Sequence, residues 1–261
     1  MNHKRSISHF LAFTFTLSWS LWGGAIFLTQ CLHMPFQHPI VMILFIFGGI
    51  SPAISELIMH KKSSSKDEWQ QFLGNILNFR HSVSIYLVII LLAFSFAFLP
   101  VLLGGAVQKL PIYLAFLEFP IMIIGGGIEE IGWRGFLQPA LQKKYSVFAS
   151  DTIVAVIWTL WHVPLWFIAG SNQSTMNFLY FSVACLSLSY LLGGLYNYTN
   201  SIYLCIVFHA LINAFWDVYV LNGQMFSAFV LLIVSIPFAL FLKKTREQQV
   251  HSKKQEQKAD I

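Results

Sequence analysis

Charge is scarce in this sequence. Only 10% of its 261 residues are Asp, Glu, Lys or Arg, whereas 56% are hydrophobic and 16% are aromatic. A soluble domain carries roughly 25% charged residues, and a folded chain with far fewer would expose large apolar patches to water. The scarcity of charge therefore excludes a soluble enzyme, and the high hydrophobicity excludes disorder over most of the chain. The sequence predicts an all-α, polytopic membrane protein.

Cysteine is also scarce, and one common protease metal motif is absent. The three cysteines, Cys31, Cys185 and Cys205, form no CxxC pair, so we expect neither a disulfide framework nor a thiolate metal site. The sequence contains no HExxH, which excludes a zincin-type site. The net charge of +5 indicates basic cytoplasmic loops, which are typical of membrane proteins and face anionic lipid. The predicted partner is therefore the lipid bilayer, with no nucleic acid involved.

Long apolar runs dominate what is present. A helix that crosses a bilayer needs roughly 20 mostly apolar residues. The segments that meet this requirement are, in chain order, Phe10–Gln30, Pro39–Met59, Val83–Leu103, Pro111–Leu141, Ile153–Ala169, Asn177–Tyr196, Ile202–Val220 and Met225–Leu242. They predict a single transmembrane domain over residues 1–242 with about eight helices. Residues 243–261 are polar and basic and are expected to form a disordered cytoplasmic tail, and a short interfacial helix is expected near Trp69–Leu77.

The basic residues orient these helices. If the N-terminus is cytoplasmic and eight helices alternate, every Lys and Arg except Lys109 and Arg134 lies on the cytoplasmic side. An excess of Lys and Arg marks cytoplasmic loops. The sequence therefore predicts that both termini are cytoplasmic, and the Lys-rich loops and short chain favour a bacterial plasma membrane.

The fourth segment contains the first candidate site. Ionisable groups inside a membrane cost several kcal/mol, so they usually have a function. Glu130 and Arg134 are four residues apart and can form an ion pair, whereas Glu129 must point from another face of the helix. The glycines of Gly125–Gly127 permit close helix approach or a break in the helix. A purely structural ion pair is the alternative interpretation of this motif.

Two later segments add polar residues at helical spacing. Trp158 and His162 share one face of the fifth segment, and His209 and Asn213 share one face of the seventh. Each pair alone is typical of packing or of a hydrogen bond between helices. Together, Glu129 and His162 could activate a water molecule while His209 and Asn213 stabilise an oxyanion. Zinc bound by Glu129, His162 and His209 is the less favoured alternative, and the preferred hypothesis involves no metal or other cofactor.

These residues resemble the motifs of the CAAX protease and bacteriocin-processing (CPBP) family. Three motifs in family order carry the resemblance, namely EExxxR at Glu129–Arg134, an aromatic residue four positions before a histidine at Trp158–His162, and HxxxN at His209–Asn213. The similar region covers about residues 121–216, a little under half of the chain. Each motif is loose by itself, but their order, spacing and placement on successive helices all agree with the family.

The resemblance implies an all-helical intramembrane endopeptidase with about eight spans. In the family the first glutamate is the base, the second-motif histidine assists it, and the third-motif histidine and asparagine stabilise the oxyanion. These roles would fall on Glu129, His162, His209 and Asn213. Supporting positions would be Glu130, Arg134 and Trp158. The implied substrate is a membrane-embedded or membrane-delivered peptide or protein; eukaryotic relatives cut prenylated CAAX proteins, and bacterial relatives are linked to bacteriocin immunity and peptide maturation.

Two other classes of function are open on the sequence alone. A non-catalytic immunity or regulatory protein could bind a peptide in the same polar cavity, and it would then keep its function after Glu129→Gln. A proton-coupled carrier would need a continuous polar path, for which Glu118 is the one extra candidate. The predicted orientation places Glu129 near the cytoplasmic end of its helix and His162 toward the outer end of the next. We therefore expect the fourth segment to break near Gly125–Gly127 or to continue as a helix well past Arg134.

Overall fold

The protein is a bundle of α-helices, and its computed structural model describes residues 6–259. The first half contains α1 (Ile7–Gln30), α2 (Pro39–Gly49), α3 (Ser51–Ser63), α4 (Lys66–Leu77), α5 (Val83–Leu102) and α6 (Leu114–Ile124). The second half contains α7 (Glu130–Gly132), α8 (Gln138–Gln142), α9 (Val147–His162), α10 (Phe178–Thr199), α11 (Ile202–Val218) and α12 (Met225–Ala259). Two short antiparallel strands, β1 (Ala106–Gln108) and β2 (Tyr219–Leu221), pair beside this bundle.

The helices confirm an all-α integral membrane protein. Within residues 6–259, 5 helical segments are long and apolar enough to cross a bilayer, namely Ile7–Gln30, Val83–Leu102, Val147–Phe167, Phe178–Thr199 and Met225–Leu242. Helices α2 and α3 meet at a bend of 52° and would form one further, broken span. Helix α11 is apolar but shorter. The predicted number of eight spans and the cytoplasmic placement of both termini stay predictions.

Several of the predicted segments differ from the observed helices. The fourth segment, Pro111–Leu141, is divided into several short helices, and the seventh ends at Val218 because the next residues pair with β1. The backbone of α12 continues to Ala259, whereas the sequence predicted disorder after Leu242. The physical reason is that this stretch is rich in Lys, Gln and Glu, which favour helix, and contains neither Gly nor Pro. Residues 260–261 lie outside the described part.

The predicted short helix in the loop after α3 is present as α4. Ser65 caps it with a reciprocal capping box, in which the Ser65 side chain accepts from the Glu68 N–H and the Glu68 side chain accepts from the Ser65 N–H. Its buried residues, Phe72 and Ile76, lie on one face, as expected for an amphipathic helix.

Helix α11 lies at the centre of the bundle and positions the site. It packs against α5, α6 and α10, and nearly all of its residues are buried. The turn that precedes it is tight, because Asn200 ends α10 in the left-handed conformation with φ of 53° and Ser201 then caps α11 through the Leu204 N–H. A large apolar cluster surrounds α11 and extends from Phe10 of α1 to Leu231 of α12.

Candidate active site

The chain breaks at the glycines that precede the two adjacent glutamates. Helix α6 ends at Ile124, and residues Gly127–Glu129 form a 3-10 turn before α7 begins. A Cβ at Gly127 would lie 2.7 Å from the carbonyl oxygen of Ile206 on α11, so only glycine permits this approach. The predicted break near Gly125–Gly127 is confirmed, and it seats the glutamates against α11.

A π-helical turn follows the glutamates. Residues Trp133–Leu137 adopt this wider turn, in which the Gln138 N–H donates to the Trp133 carbonyl five residues earlier. Turns of this kind occur mostly as single insertions in α-helices and frequently at functional sites. Here the turn buries both Trp133 and Arg134 completely, so their polar atoms can reach partners inside the bundle.

Glu129 is held by two indole groups. One of its oxygens, Oε2, accepts from Trp158 Nε1 at 2.9 Å and from Trp133 Nε1 at 3.3 Å. The side chain is buried, and its other oxygen, Oε1, has no hydrogen-bond partner within residues 6–259. The two indoles therefore fix the orientation of the carboxylate and leave one oxygen able to contact another molecule.

Glu130 joins two helices through a buried charge network. Its Oε2 lies 3.1 Å from Arg134 Nη1, which confirms the ion pair expected from their spacing. Its Oε1 lies 2.8 Å from His209 Nδ1 on α11. Arg134 in turn donates through Nη2 to the carbonyl and hydroxyl oxygens of Ser189 on α10, both at 3.2 Å. Because all of these groups are buried, each depends on the others for its polar contacts.

The tautomer of His162 follows from its hydrogen bond. Its Nδ1 lies 2.8 Å from the Trp158 carbonyl oxygen, four residues earlier on α9. A carbonyl oxygen can only accept, so Nδ1 carries the proton and Nε2 of the neutral ring is an acceptor. The Trp158 ring lies 5.7 Å from the His162 ring and 5.2 Å from the His209 ring. Trp158 therefore contacts Glu129 and both histidines.

Asn213 and His209 face the broken segment together. A Cβ built on Gly126 would overlap the side-chain amide of Asn213 and would lie 3.4 Å from His209 Nε2. The hydrogen-bonding atoms of both side chains thus meet at Gly126, three residues before Glu129. The structure brings all seven predicted site residues into one cluster around Trp158 and Gly126. Within residues 6–259, no hydrogen bond or ion pair joins Glu118 of α6 to this cluster.

We predict that Gly126→Ala lowers any activity of this site by about 100-fold, because displacement of a polar group by about 1 Å can cost that much. The new methyl group would displace the Asn213 amide. The φ of Gly126 is 174°, outside the left-handed region that favours glycine. Gly23→Ala is the matched control, since a Cβ there meets nothing within 4 Å. Equal activity of the two variants would contradict the placement of Asn213.

Sequence analysis missed several residues of this cluster. Trp133 lies four positions after Glu129, a spacing that would have identified it as a partner. Ser189 and Asp151 had no such signal; the Ser189 hydroxyl, which Arg134 contacts, donates to the Asp151 carbonyl at 2.9 Å. Gln138 extends the network by donating to the Gly193 carbonyl at 3.3 Å. These groups anchor α9 and α10 to the segment that carries the glutamates.

The cluster does not present a metal-ligand set. Among residues 6–259, no three His, Cys, Asp or Glu side chains are grouped so that they could hold a metal ion. Glu129 is hydrogen-bonded through Oε2 to indoles, His162 through Nδ1 to a carbonyl and His209 through Nδ1 to Glu130. The grouping of these side chains gives the zinc alternative no support.

Comparisons with known proteins point to one family. The family model described as "Type II CAAX prenyl endopeptidase Rce1-like" matches residues 108–215, a range that contains all seven predicted site residues. A protein named "CAAX prenyl protease 2" from Methanococcus maripaludis is 26% identical over 252 residues, which cover 88% of this chain and 92% of the relative. The similarity to this relative therefore extends well beyond the three motifs.

Proposed function

We propose that this chain, which is similar to Rce1-like CAAX prenyl endopeptidases, is a protease of the membrane and that Glu129 is the general base of a glutamate-dependent peptide hydrolysis. The observation that carries the proposal is the way in which Glu129 is held. Two indole N–H groups orient one carboxylate oxygen, while the second has no partner within residues 6–259. A fixed carboxylate with one available oxygen in an apolar surrounding suits proton abstraction from water.

The first chemical step uses Glu129 and His162. Glu129 Oε1 takes a proton from water as the water oxygen attacks the carbonyl carbon of the scissile peptide. His162 Nε2, which is the acceptor atom of the ring, accepts the second hydrogen of that water and orients it. Trp158 couples the two residues, because its indole donates to Glu129 and its carbonyl accepts from His162.

The oxyanion that forms is stabilised by His209 and Asn213. Since His209 Nδ1 lies 2.8 Å from a Glu130 oxygen, the ring donates there, and Nε2 donates as well when the ring is protonated. In that form the adjacent Glu130 carboxylate is the counter-charge of the ring. Asn213 adds an amide N–H beside His209 Nε2. Donors that are fixed in advance stabilise a developing oxyanion most effectively.

Collapse of the tetrahedral intermediate completes the reaction. The C–N bond breaks, and the proton held by Glu129 passes to the leaving amine, so that one water is consumed and the carboxylate is regenerated. Arg134 supports this cycle by pairing with Glu130, which contacts His209. We derive no step through a metal, because the residues do not form a ligand set.

The substrate we propose is a peptide or protein that reaches the site from the bilayer. Its support is the position of the cluster, which lies on α9 and α11, two apolar helices of the bundle. The bacterial plasma membrane is the proposed location, supported by the Lys-rich loops and the short chain. The printed name of the archaeal relative refers to prenylated CAAX substrates; the chemistry proposed here requires only a peptide bond at the cluster.

The test is a comparison of peptides in cells that carry the wild type or Glu129→Gln at equal expression. Mass spectrometry of membrane and secreted fractions should reveal peptides that the wild type produces and the variant does not, and their new termini define the cleavage site. If the peptide profiles match while the biological phenotype of the wild type persists in the variant, a non-catalytic peptide-binding protein replaces the proposal. Substrate transport without cleavage would favour a carrier.

A further inference from the structure

A second polar cavity lies away from the catalytic cluster, where α4 ends beside the α10–α11 turn. Its volume is about 410 Å³, which is within the usual range for ligand sites of roughly 300–1,000 Å³. The end of α4, the segment before α5 and Asn200 form its walls. The residues that line it include no Asp or Glu, and their one formal charge is that of Arg80.

The walls of this cavity are rich in hydrogen-bond donors. The Asn75 side-chain oxygen accepts from the Ile202 N–H at 3.4 Å, and the Asn78 side-chain oxygen accepts from the Arg80 N–H at 3.1 Å. Because each amide oxygen is used in this way, each NH₂ group remains as a donor. Among the side chains that the structure describes, the Arg80 guanidinium has no ion-pair partner. A guanidinium and two amide NH₂ groups with no carboxylate beside them are suited to bind an anion.

Contacts between elements hold the walls in place. The Tyr86 hydroxyl of α5 donates to the Phe79 carbonyl at 2.6 Å. His81 Nε2 lies 3.2 Å from the hydroxyl of Ser201, the residue that caps α11. The segment between α4 and α5 is therefore tied to both α5 and α11, and Arg80 lies between these two contacts.

The cavity lies next to the start of a membrane-spanning helix, where lipid headgroups are expected. Arg80 precedes α5, a membrane-spanning helix that begins at Val83, by three residues. Leu77 and Phe79 line the cavity with 67% and 63% of their surfaces exposed, and Val83, the first residue of α5, is 74% exposed, as suits side chains in contact with lipid. A basic side chain at this depth meets the phosphates of the bilayer.

We propose that this cavity binds a phosphate group through Arg80, Asn75 and Asn78, with the headgroup of an anionic phospholipid as the source that its position favours. The lipid phosphate accepts from the guanidinium and from the two amide groups, and its acyl chains lie along Phe79 and Val83. This site binds its ligand whether or not Glu129 is a catalytic base.

Native mass spectrometry of the purified full-length protein tests the proposal. The delipidated protein is mixed with phosphatidylglycerol or with diacylglycerol of the same acyl chains, and in a separate arm with inorganic phosphate as competitor. We expect phosphatidylglycerol to bind at least 10-fold more tightly than diacylglycerol. Arg80→Gln should reduce this affinity about 10-fold or more, as expected for the loss of charge-assisted hydrogen bonds. Asn78→Asp should also reduce it, while its carboxylate still accepts from the Arg80 N–H.

Lys66→Gln is the matched control, because Lys66 is a basic residue of the same region that does not line the cavity. Loss of phosphatidylglycerol in Arg80→Gln but not in Lys66→Gln supports a lipid site. Arg80-dependent binding of inorganic phosphate without preference for phosphatidylglycerol supports a phosphate site for a soluble ligand. Equal binding of both lipids with no effect of phosphate, or equal loss in both variants, would overturn the proposal.

Discussion

Glu129→Gln is expected to lower the rate of peptide hydrolysis by about 100- to 10,000-fold, the usual contribution of a positioned general base. The substitution preserves volume, and the amide oxygen of glutamine can still accept from Trp158 and Trp133. The fold should therefore persist while the proton acceptor is lost. Purified protein in liposomes, with a peptide identified from cells as substrate, provides the measurement. The change should lie in kcat, because Glu129 acts on the water and not on substrate binding.

Two controls make this result specific to the base. Glu118→Gln replaces a glutamate of the neighbouring helix α6 that does not belong to the cluster. This variant should keep most of the activity. Treatment of the wild type with EDTA should leave the rate unchanged, because no ligand set for a metal is present among residues 6–259. A rate that EDTA abolishes and added zinc restores would favour the zinc alternative, in which Glu129 is a ligand.

Much of the fold could be predicted because membrane spans have a strong local signal. Helices α5 and α12 begin, and helix α1 ends, where the apolar runs of the sequence do. The reason is that the backbone N–H and C=O groups of each run must form their hydrogen bonds within one helix. The break after Ile124 could be anticipated from its glycines. The strand pair was missed, because Tyr219 and Val220 continue an apolar run and only a partner more than 100 residues away in the sequence takes them out of the helix. Tertiary contact overrides local propensity there.

The candidate site shows the same division between local and distant partners. The Glu130–Arg134 pair follows from a spacing of four residues on a helix. The contact of Glu130 with His209 joins residues 79 apart in the sequence. Helical spacing cannot indicate a contact between residues so far apart. The π-helical turn at Trp133–Leu137 likewise has no sequence signature, although it buries the Arg134 side chain that reaches Ser189. The resemblance to a known family predicted that the three motifs form one site. The structure then identified the pairs of atoms that are in contact within that site.

Arg134→Met is expected to reduce the free energy of unfolding by about 3–5 kcal/mol, because it leaves a buried carboxylate without its main counter-ion. Arg134 is fully buried, lies 3.1 Å from Glu130 and donates to Ser189, so water cannot replace it without opening the bundle. Unfolding of the purified protein in mixed detergent micelles would measure the loss. Lys109→Met is the matched control: this exposed cation should change stability by no more than about 0.5 kcal/mol.

The double variant Glu130→Gln with Arg134→Met separates stability from catalysis. Removing both charges relieves the unpaired carboxylate, so most of the lost stability should return, as it does when a buried ion pair is replaced as a unit. Activity should remain low, because His209 then faces a neutral amide in place of the Glu130 carboxylate that is its counter-charge in the proposed mechanism. If Arg134→Met alone is as stable as the wild type, the ion pair is not what holds Glu130 inside the bundle. If the double variant regains activity along with stability, His209 does not need the Glu130 carboxylate, and the oxyanion role proposed for it fails.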